Sequence, residues 1–421
     1  MTSVAHEPTG LGTDTRPTAH GREFIFLVTA LMATGALAID LMLPAFPDIR
    51  AEFGMSADSS QVGWIVTSFF LGLAVGPWLY GPASDKYGRR PLLFAGMTLY
   101  VVSALASAIA PSFAWIVAAR FVWGLGSAAP RSLSVAMIRD RYEGEAMARL
   151  MSMIMAVFLI VPILAPSLGS MLNRIAPWRI VFIVPAIVAC CLMVWARRLP
   201  ETLPADRRRA LTRRSLIDAG RAVVTNRQVV CFTLAMMFLF AVMTAYLAGS
   251  ELILEDVYGY GEWFPIFFGG VAVLLAVSAL NNARLVHRLG ITRLVRRMAT
   301  IGVCLAAVFT LVSLLSHGHP SFWLFTLSLA AVVPVAQGLV PNCNTAAMMP
   351  VPHVAGTASA IIATVTTAGG ALIGGLVNSA FDGTVRPFAL GITACMFVAA
   401  GLIMAATHGA EPRPMLQAGA L

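Results

Sequence analysis

The residues of this chain that could do chemistry are few, and they stand where charge is costly. Asp40 interrupts the apolar run ATGALAIDLMLPAFP (33–47), and Arg120 and Arg131 interrupt VAARFVWGLGSAAPR (117–131). An ionised side chain at membrane depth costs about 3 kcal/mol or more, and it normally faces a polar cavity or a partner. Asp40 lies in the outer third of its run and Arg120 about two turns inside the outer end of its own, so their depths are similar. A guanidinium keeps its proton at any accessible pH. A nearby cation favours the carboxylate, poor solvation favours the acid, and a carboxylate balanced between the two can load and release a proton. That chemistry is proton coupling through Asp40 and Arg120; the alternative is a static ion pair that fixes helix packing. Arg131 follows Arg120 by eleven residues, close to three helical turns and about 16 Å, which puts both on one face. Pro130 before it is expected to kink or open the helix. Arg131 reads either as a site for an anionic substrate group, or as a side chain that reaches the surface or pairs with another helix.

Other chemistries lack their residues. His317 and His319 flank Gly318 with no third ligand nearby, and the six cysteines have no metal-ligand spacing and read as packing residues. There is no phosphate-binding loop, dinucleotide fingerprint or nucleophile elbow. The expectation is a protein that is not an enzyme, with no metal and no cofactor.

The elements that hold these charges are membrane helices. The chain is 58% hydrophobic and 12% charged with mean hydropathy +0.80, against about 25% charged residues in a soluble domain. Apolar runs recur near 24–46, 60–82, 92–110, 113–136, 149–171, 178–196, 229–250, 263–281, 298–316, 321–343, 355–380 and 387–407. Each can cross a hydrocarbon core of about 30 Å as a helix, the conformation that pairs every backbone group internally. The expected fold is all-α and integral to the membrane, with twelve spans. Of the 29 Lys and Arg, only Arg50, Arg174, Arg179 and Arg386 fall on one side, Arg120 and Arg131 lie within a span, Arg149 begins the run 149–171, and the rest share the other side. Both termini are therefore placed in the cytoplasm. This bias accounts for the +9 net charge, so no nucleic-acid partner is invoked. Residues 1–23 read as a disordered tail rather than a signal peptide. Two six-helix halves, 24–196 and 229–407, flank the basic connector 197–228, and 408–421 form a second tail. Part of the connector, about 213–224, reads as an amphipathic helix on the inner leaflet or as a solvated linker.

The halves look like repeats. The loops GPASDKYGRRPLLFAG (81–96) and NNARLVHRLGITRLVRR (281–297) are both short and basic, and Gly88 aligns with Gly290 at an offset of 202 residues, with His287 standing where the first loop has Asp85. Two parallel six-helix halves match a transporter plan with the substrate site at mid-membrane. The segment Gly81 to Arg90 resembles the signature loop between helices two and three of the major facilitator superfamily. More narrowly, the chain resembles the Bcr/CflA group of drug:proton antiporters. The stretches that carry this likeness are DLMLPAFP (40–47), Ile138-Arg139-Asp140, Trp178 to Phe182, Pro200 to Leu203 and HVAGTASA (353–360).

The resemblance implies export of drugs or small amphipathic metabolites in exchange for protons, by a monomer in the bacterial cytoplasmic membrane. Importing a nutrient, or sensing without transport, is the alternative. It implies that helices one and four line one cavity, so Asp40 and Arg120 are expected to lie close enough to couple. It places Asp85, Gly88, Arg89, Arg139 and Asp140 in a cytoplasmic gate whose ion pairs break when that side opens. Pro162, Pro166 and Gly169 partly match the antiporter signature of helix five, a hinge. Trp123, Phe158, Met236, Met237, Phe240 and Asn344 fall in cavity-lining helices of the resembled fold, and each suits packing as well. The resemblance also fits Glu255, whereas Glu251 replaces an apolar residue; a solvated role suits either. Some members carry a second acid on helix one where this chain has Met32, which leaves room for neutral, zwitterionic or anionic cargo.

Overall fold

The computed structural model describes residues 19–142, 144–204 and 220–408. The terminal tails and most of the amphipathic-helix reading of 213–224 lie outside the described residues. The described chain runs α1 (Ala19–Asp40), α2 (Phe46–Glu52), α3 (Trp64–Tyr87), α4 (Arg89–Ala108), α5 (Phe113–Arg139), α6 (Gly144–Ile175), α7 (Ile180–Ala196), α8 (Arg227–Leu252), α9 (Phe264–Leu289), α10 (Ile291–Leu315), α11 (Phe322–Met348), α12 (Ala355–Ser379) and α13 (Arg386–Thr407). Every apolar run expected from the sequence is occupied by helix. Ten helical segments are long and apolar enough to cross a membrane, and an eleventh is counted if Ile160–Ile175 and Ile180–Ala196, bent by 119°, form one span. Large apolar side chains such as Ile109, Leu315 and Trp323 remain exposed, as suits a perimeter that meets lipid rather than water.

Local chemistry sets the boundaries. The first run is broken, because Pro44 and Pro47 each lack the N–H a helix interior needs; α1 ends at Asp40, and a 3-10 turn, Leu43–Ala45, leads into α2. Asp40 thus closes a helix instead of lying within one. Ser112 caps α5 by accepting from the Trp115 N–H, and Asn226 caps α8 by accepting from the Val229 N–H. Gly88 ends α3 at φ 101° and Gly290 ends α9 at φ 72°, both left-handed conformations that favour glycine. The 3-10 turns Ser60–Gly63 and Gly261–Trp263 precede α3 and α9, so the 202-residue spacing recurs in backbone geometry.

Small residues let the helix axes approach. Gly72 of α3 and Gly124 of α5 face each other's helix backbone with no room for a Cβ. Between α8 and α12, Thr244 Oγ1 donates to the Gly370 carbonyl at 2.9 Å. Helices α1–α7 and α8–α13 form two sets, which touch through α3 with α12 and through α6 with α9.

Candidate functional site: a cavity closed at one end

Helices α3, α5 and α12, with Arg89 at the start of α4, line a cavity of about 440 Å³ whose mouth lies between residues 81–89 and the start of α12. That volume falls in the range of small-molecule sites, about 300–1,000 Å³. Trp78 and Leu73 of α3 form an apolar wall, and Thr357, Ser359 and Thr367 bring hydroxyls from α12. Arg131 and Arg139 both line the cavity and are exposed to it. Among the described residues neither makes a hydrogen bond or an ion pair.

The opposite end is shut. Arg50 of α2 and Glu251 of α8 form a two-point ion pair, with each side chain 3% exposed. Arg50 Nε also donates to the Ser59 carbonyl at 3.2 Å. Nearby, Asn378 of α12 packs so tightly on Gly63 and Gly249 that neither glycine could carry a Cβ without a shift. Deeper in, Phe70 of α3 meets Phe240 of α8 edge-on at 5.2 Å, and Thr364 Oγ1 donates to the Ala74 carbonyl at 2.8 Å. Arg50 and Glu251 stand 201 residues apart, close to the spacing of Gly88 and Gly290. The solvated role expected for Glu251 is therefore wrong, because α2 supplies a buried guanidinium.

Asp40 and Arg120 do not form an ion pair among the described residues. Asp40 is buried, at 4% exposed, and the Tyr246 hydroxyl of α8 is buried with no hydrogen-bond partner among the described residues. Arg120 is fully buried: Nη1 donates to the Ala38 carbonyl at 3.0 Å and Nε to the Ile65 carbonyl at 3.4 Å. Its guanidinium lies 4.5 Å from the Phe69 ring and 4.7 Å from Trp123. Arg120 instead meets the backbone at the end of α1. The last carbonyls of α1 lack helical donors and carry the negative end of the helix dipole. Arg120 takes one of them, two residues before Asp40. Arg120 and Arg131 share a helix face by spacing, but the first is enclosed by α1, α3 and α5 while the second lines the cavity.

At the open mouth, Arg89 Nη1 meets Asp85 at 2.6 Å and Ser84 Oγ at 2.6 Å, and Arg89 Nε meets Asp140 at 3.2 Å. All of these residues belong to the first set, and all the bonds are present although this end is open. The expectation that they break on opening is not met. Arg139 takes no part in the cluster. Gly88 makes the turn that brings Arg89 back over Asp85. Glu201, which the sequence reading marked only as part of a family stretch, accepts from the backbone N–H groups of Arg89, Arg90, Thr202 and Leu203. Burial raises its pKa, but these four bonds outweigh burial and hold it below the ordinary value of 4.5.

Residues 25–375 match the model of the Major Facilitator Superfamily. The chain belongs to that superfamily. It is 28% identical to a bicyclomycin resistance protein homolog of Haemophilus influenzae over 89% of this chain and 94% of the relative. It is 30% identical to the multidrug transporter MdfA of Yersinia pestis over 67% of this chain and 69% of the relative. It is 26% identical to multidrug resistance protein D of Escherichia coli over 84% and 85%. Among solved structures, a point mutant of the nucleoside transporter NupG superposes with a TM-score of 0.71, 14% identity and coverage of 91% and 99%. That likeness shows the fold alone. The protein is therefore a multi-pass membrane transporter of the superfamily, consistent with the Bcr/CflA-like drug antiporters, and not an enzyme.

Within this transporter the remaining cavity candidates separate. Trp123 is fully buried against Tyr100, Phe69 and Phe182 and belongs to the core of the first set. Met236 is buried, and Met237 packs on Gly369. Phe240 helps to close the cavity on the side away from the mouth. Asn344 is exposed, while Asn342 on the same helix is buried and donates to Asn282 at 2.8 Å. None of these five lines the cavity: α8 and α11 contribute no lining residue, and Trp123 is not among those that α5 contributes. The Phe158 side chain lies outside the described residues. Helix α6 continues through Pro162 and Pro166, and Gly169 leaves no room for a Cβ against the Leu41 carbonyl, one residue beyond Asp40. Trp78 was missed, although it sits beside Pro77 in the expected second helix; the α12 hydroxyls lay in or beyond HVAGTASA, quoted above only as a family mark.

Proposed function

We propose that this transporter exports drugs or small amphipathic metabolites in exchange for protons, by alternating access. The observation that carries the reading is the asymmetry of the cavity. It is open at the 81–89 mouth and closed by Arg50–Glu251 and Asn378 at the other end, as an inward-facing state of an alternating-access cycle requires. The reading takes twelve spans in two six-helix halves, with the basic loops and both termini in the cytoplasm of a bacterial cell, and a monomer as the working unit. The names of the relatives, bicyclomycin and multidrug resistance proteins, support a drug-like cargo. Asp40 is the proton carrier, and Arg120 positions the end of α1 that bears it. Asp85, Gly88, Arg89 and Asp140, with Arg139 beside them, shape the cytoplasmic gate, and Pro162, Pro166 and Gly169 let helix five adjust.

The test is purified protein in liposomes under an imposed pH gradient, screened against chemically diverse drugs. Substrate-dependent proton movement is expected, and Asp40→Asn should abolish uphill transport while leaving substrate binding in place. Full proton-driven transport by Asp40→Asn removes the assigned carrier. Absence of substrate-dependent proton movement with every compound turns the assignment to the importer or sensor.

A further inference from the structure

Among the described residues, four ionisable ones line the cavity: Asp85, Arg89, Arg131 and Arg139. Their charges do not balance. Asp85 is held by Arg89, which also takes Asp140 just outside the lining. The nearby acids are thus already paired with a cation, while Arg131 and Arg139 have no anion among the described residues. Arg131 is exposed into a cavity walled by α3, α5 and α12 and open at its mouth. A guanidinium in such a space attracts an oxyanion more strongly than it does in open water, and its planar fork matches carboxylate, sulfonate or phosphate in two-point geometry.

We infer that Arg131 and Arg139 form the anion-binding pole of the cavity, and that the cargo is an amphipathic organic acid: one oxyanion joined to an apolar body. The inference rests on reading this cavity as the transport path. Arg139 lies eight residues beyond Arg131, about 12 Å along α5, at the mouth next to Asp140. One anionic group engages the two arginines in turn, Arg139 on entry and Arg131 at depth. Trp78, 39% exposed, and Leu73 take the apolar body. Ser132 and the α12 residues Thr357, Ser359 and Thr367 can donate to the remaining oxygen lone pairs. A cationic drug of the same size meets two like charges and no free carboxylate in the lining.

Three probes of one shape test this: 2-naphthalenesulfonate, 2-naphthyl-trimethylammonium and 2-naphthol, measured by equilibrium dialysis against the purified full-length protein without a gradient. The sulfonate is expected to bind at least about tenfold more tightly than the ammonium, and to weaken with added salt. Arg131→Gln should lower sulfonate affinity about tenfold while leaving 2-naphthol unchanged. Arg131→Lys, which keeps the charge, should retain most of the binding and controls for folding. Arg139→Gln should slow association more than it speeds release. No sulfonate binding, equal or tighter binding of the ammonium, or an unchanged affinity in Arg131→Gln overturns the inference. Because no proton gradient is present, failure of proton exchange leaves this readout intact. Anion-selective binding without proton movement would keep the pole and discard the exchange.

Discussion

Arg50–Glu251 and Arg89–Asp85–Asp140 are charged clusters at opposite ends of this transporter. The first joins α2 to α8 across the two sets, with both side chains 3% exposed. The second ties residues of one set, and its Asp85 side chain is 41% exposed. A pair that spans the sets exists only while its end is closed, so its free energy belongs to the difference between states. A pair within one set survives opening and can only shape that set. On the proposed cycle, the cluster that carries the family signature is the static one, and the pair that reports conformation lies at the other end, in residues the family pattern did not single out.

The largest test of this contrast is to remove one partner of the buried pair. Arg50→Met or Glu251→Leu alone leaves an uncompensated buried charge, expected to cost about 3–5 kcal/mol, read as a fall in the thermal midpoint of purified protein. Arg50→Met with Glu251→Leu should recover most of that loss. Additive single effects in this double-mutant cycle would show that the two residues are not coupled. A middle-sized effect is expected at Glu201, whose carboxylate caps the start of α4. Glu201→Gln should cost about 1 kcal/mol. The folded pKa of Glu201 is depressed, so its contribution is fully present above its ordinary value of 4.5 and lost as pH falls below that. The gap between wild type and Glu201→Gln should close in acid. The smallest stability effect is expected for Asp85→Asn, within about 1 kcal/mol because the pair is partly exposed and Arg89 keeps Asp140. Turnover and binding should both stay near wild type, as a cluster that persists through opening requires. A large stability loss there, or a negligible one at Arg50, would reverse the contrast.

Legibility in the sequence followed the range of the forces. The helices were readable because lipid makes each run satisfy its own backbone, a local requirement that hydropathy records. Gly88 and Gly290 were readable because their turns need glycine. Asp40 and Arg120 stood out as charges in apolar runs, yet their relation was misjudged, since Pro44 and Pro47 end the first helix early and offer Arg120 a carbonyl in place of the carboxylate. Trp123 was misplaced because an aromatic residue in a helix looks the same whether it faces a cavity or its own set. Arg50 was counted only as a loop charge, and nothing near it in sequence names Glu251.

The sequence alone determined a basic, twelve-run membrane chain with a signature loop, one acid and two arginines at membrane depth, and two similar halves. Tertiary structure alone decided which faces of the halves meet: that Arg50 finds Glu251, that α3, α5 and α12 line the cavity, and that Arg131 opens into it while Arg120 does not. Insertion into lipid is set run by run, whereas docking depends on side chains far apart in the chain, as with the 201 residues between Arg50 and Glu251, that become neighbours only when the two sets close on each other.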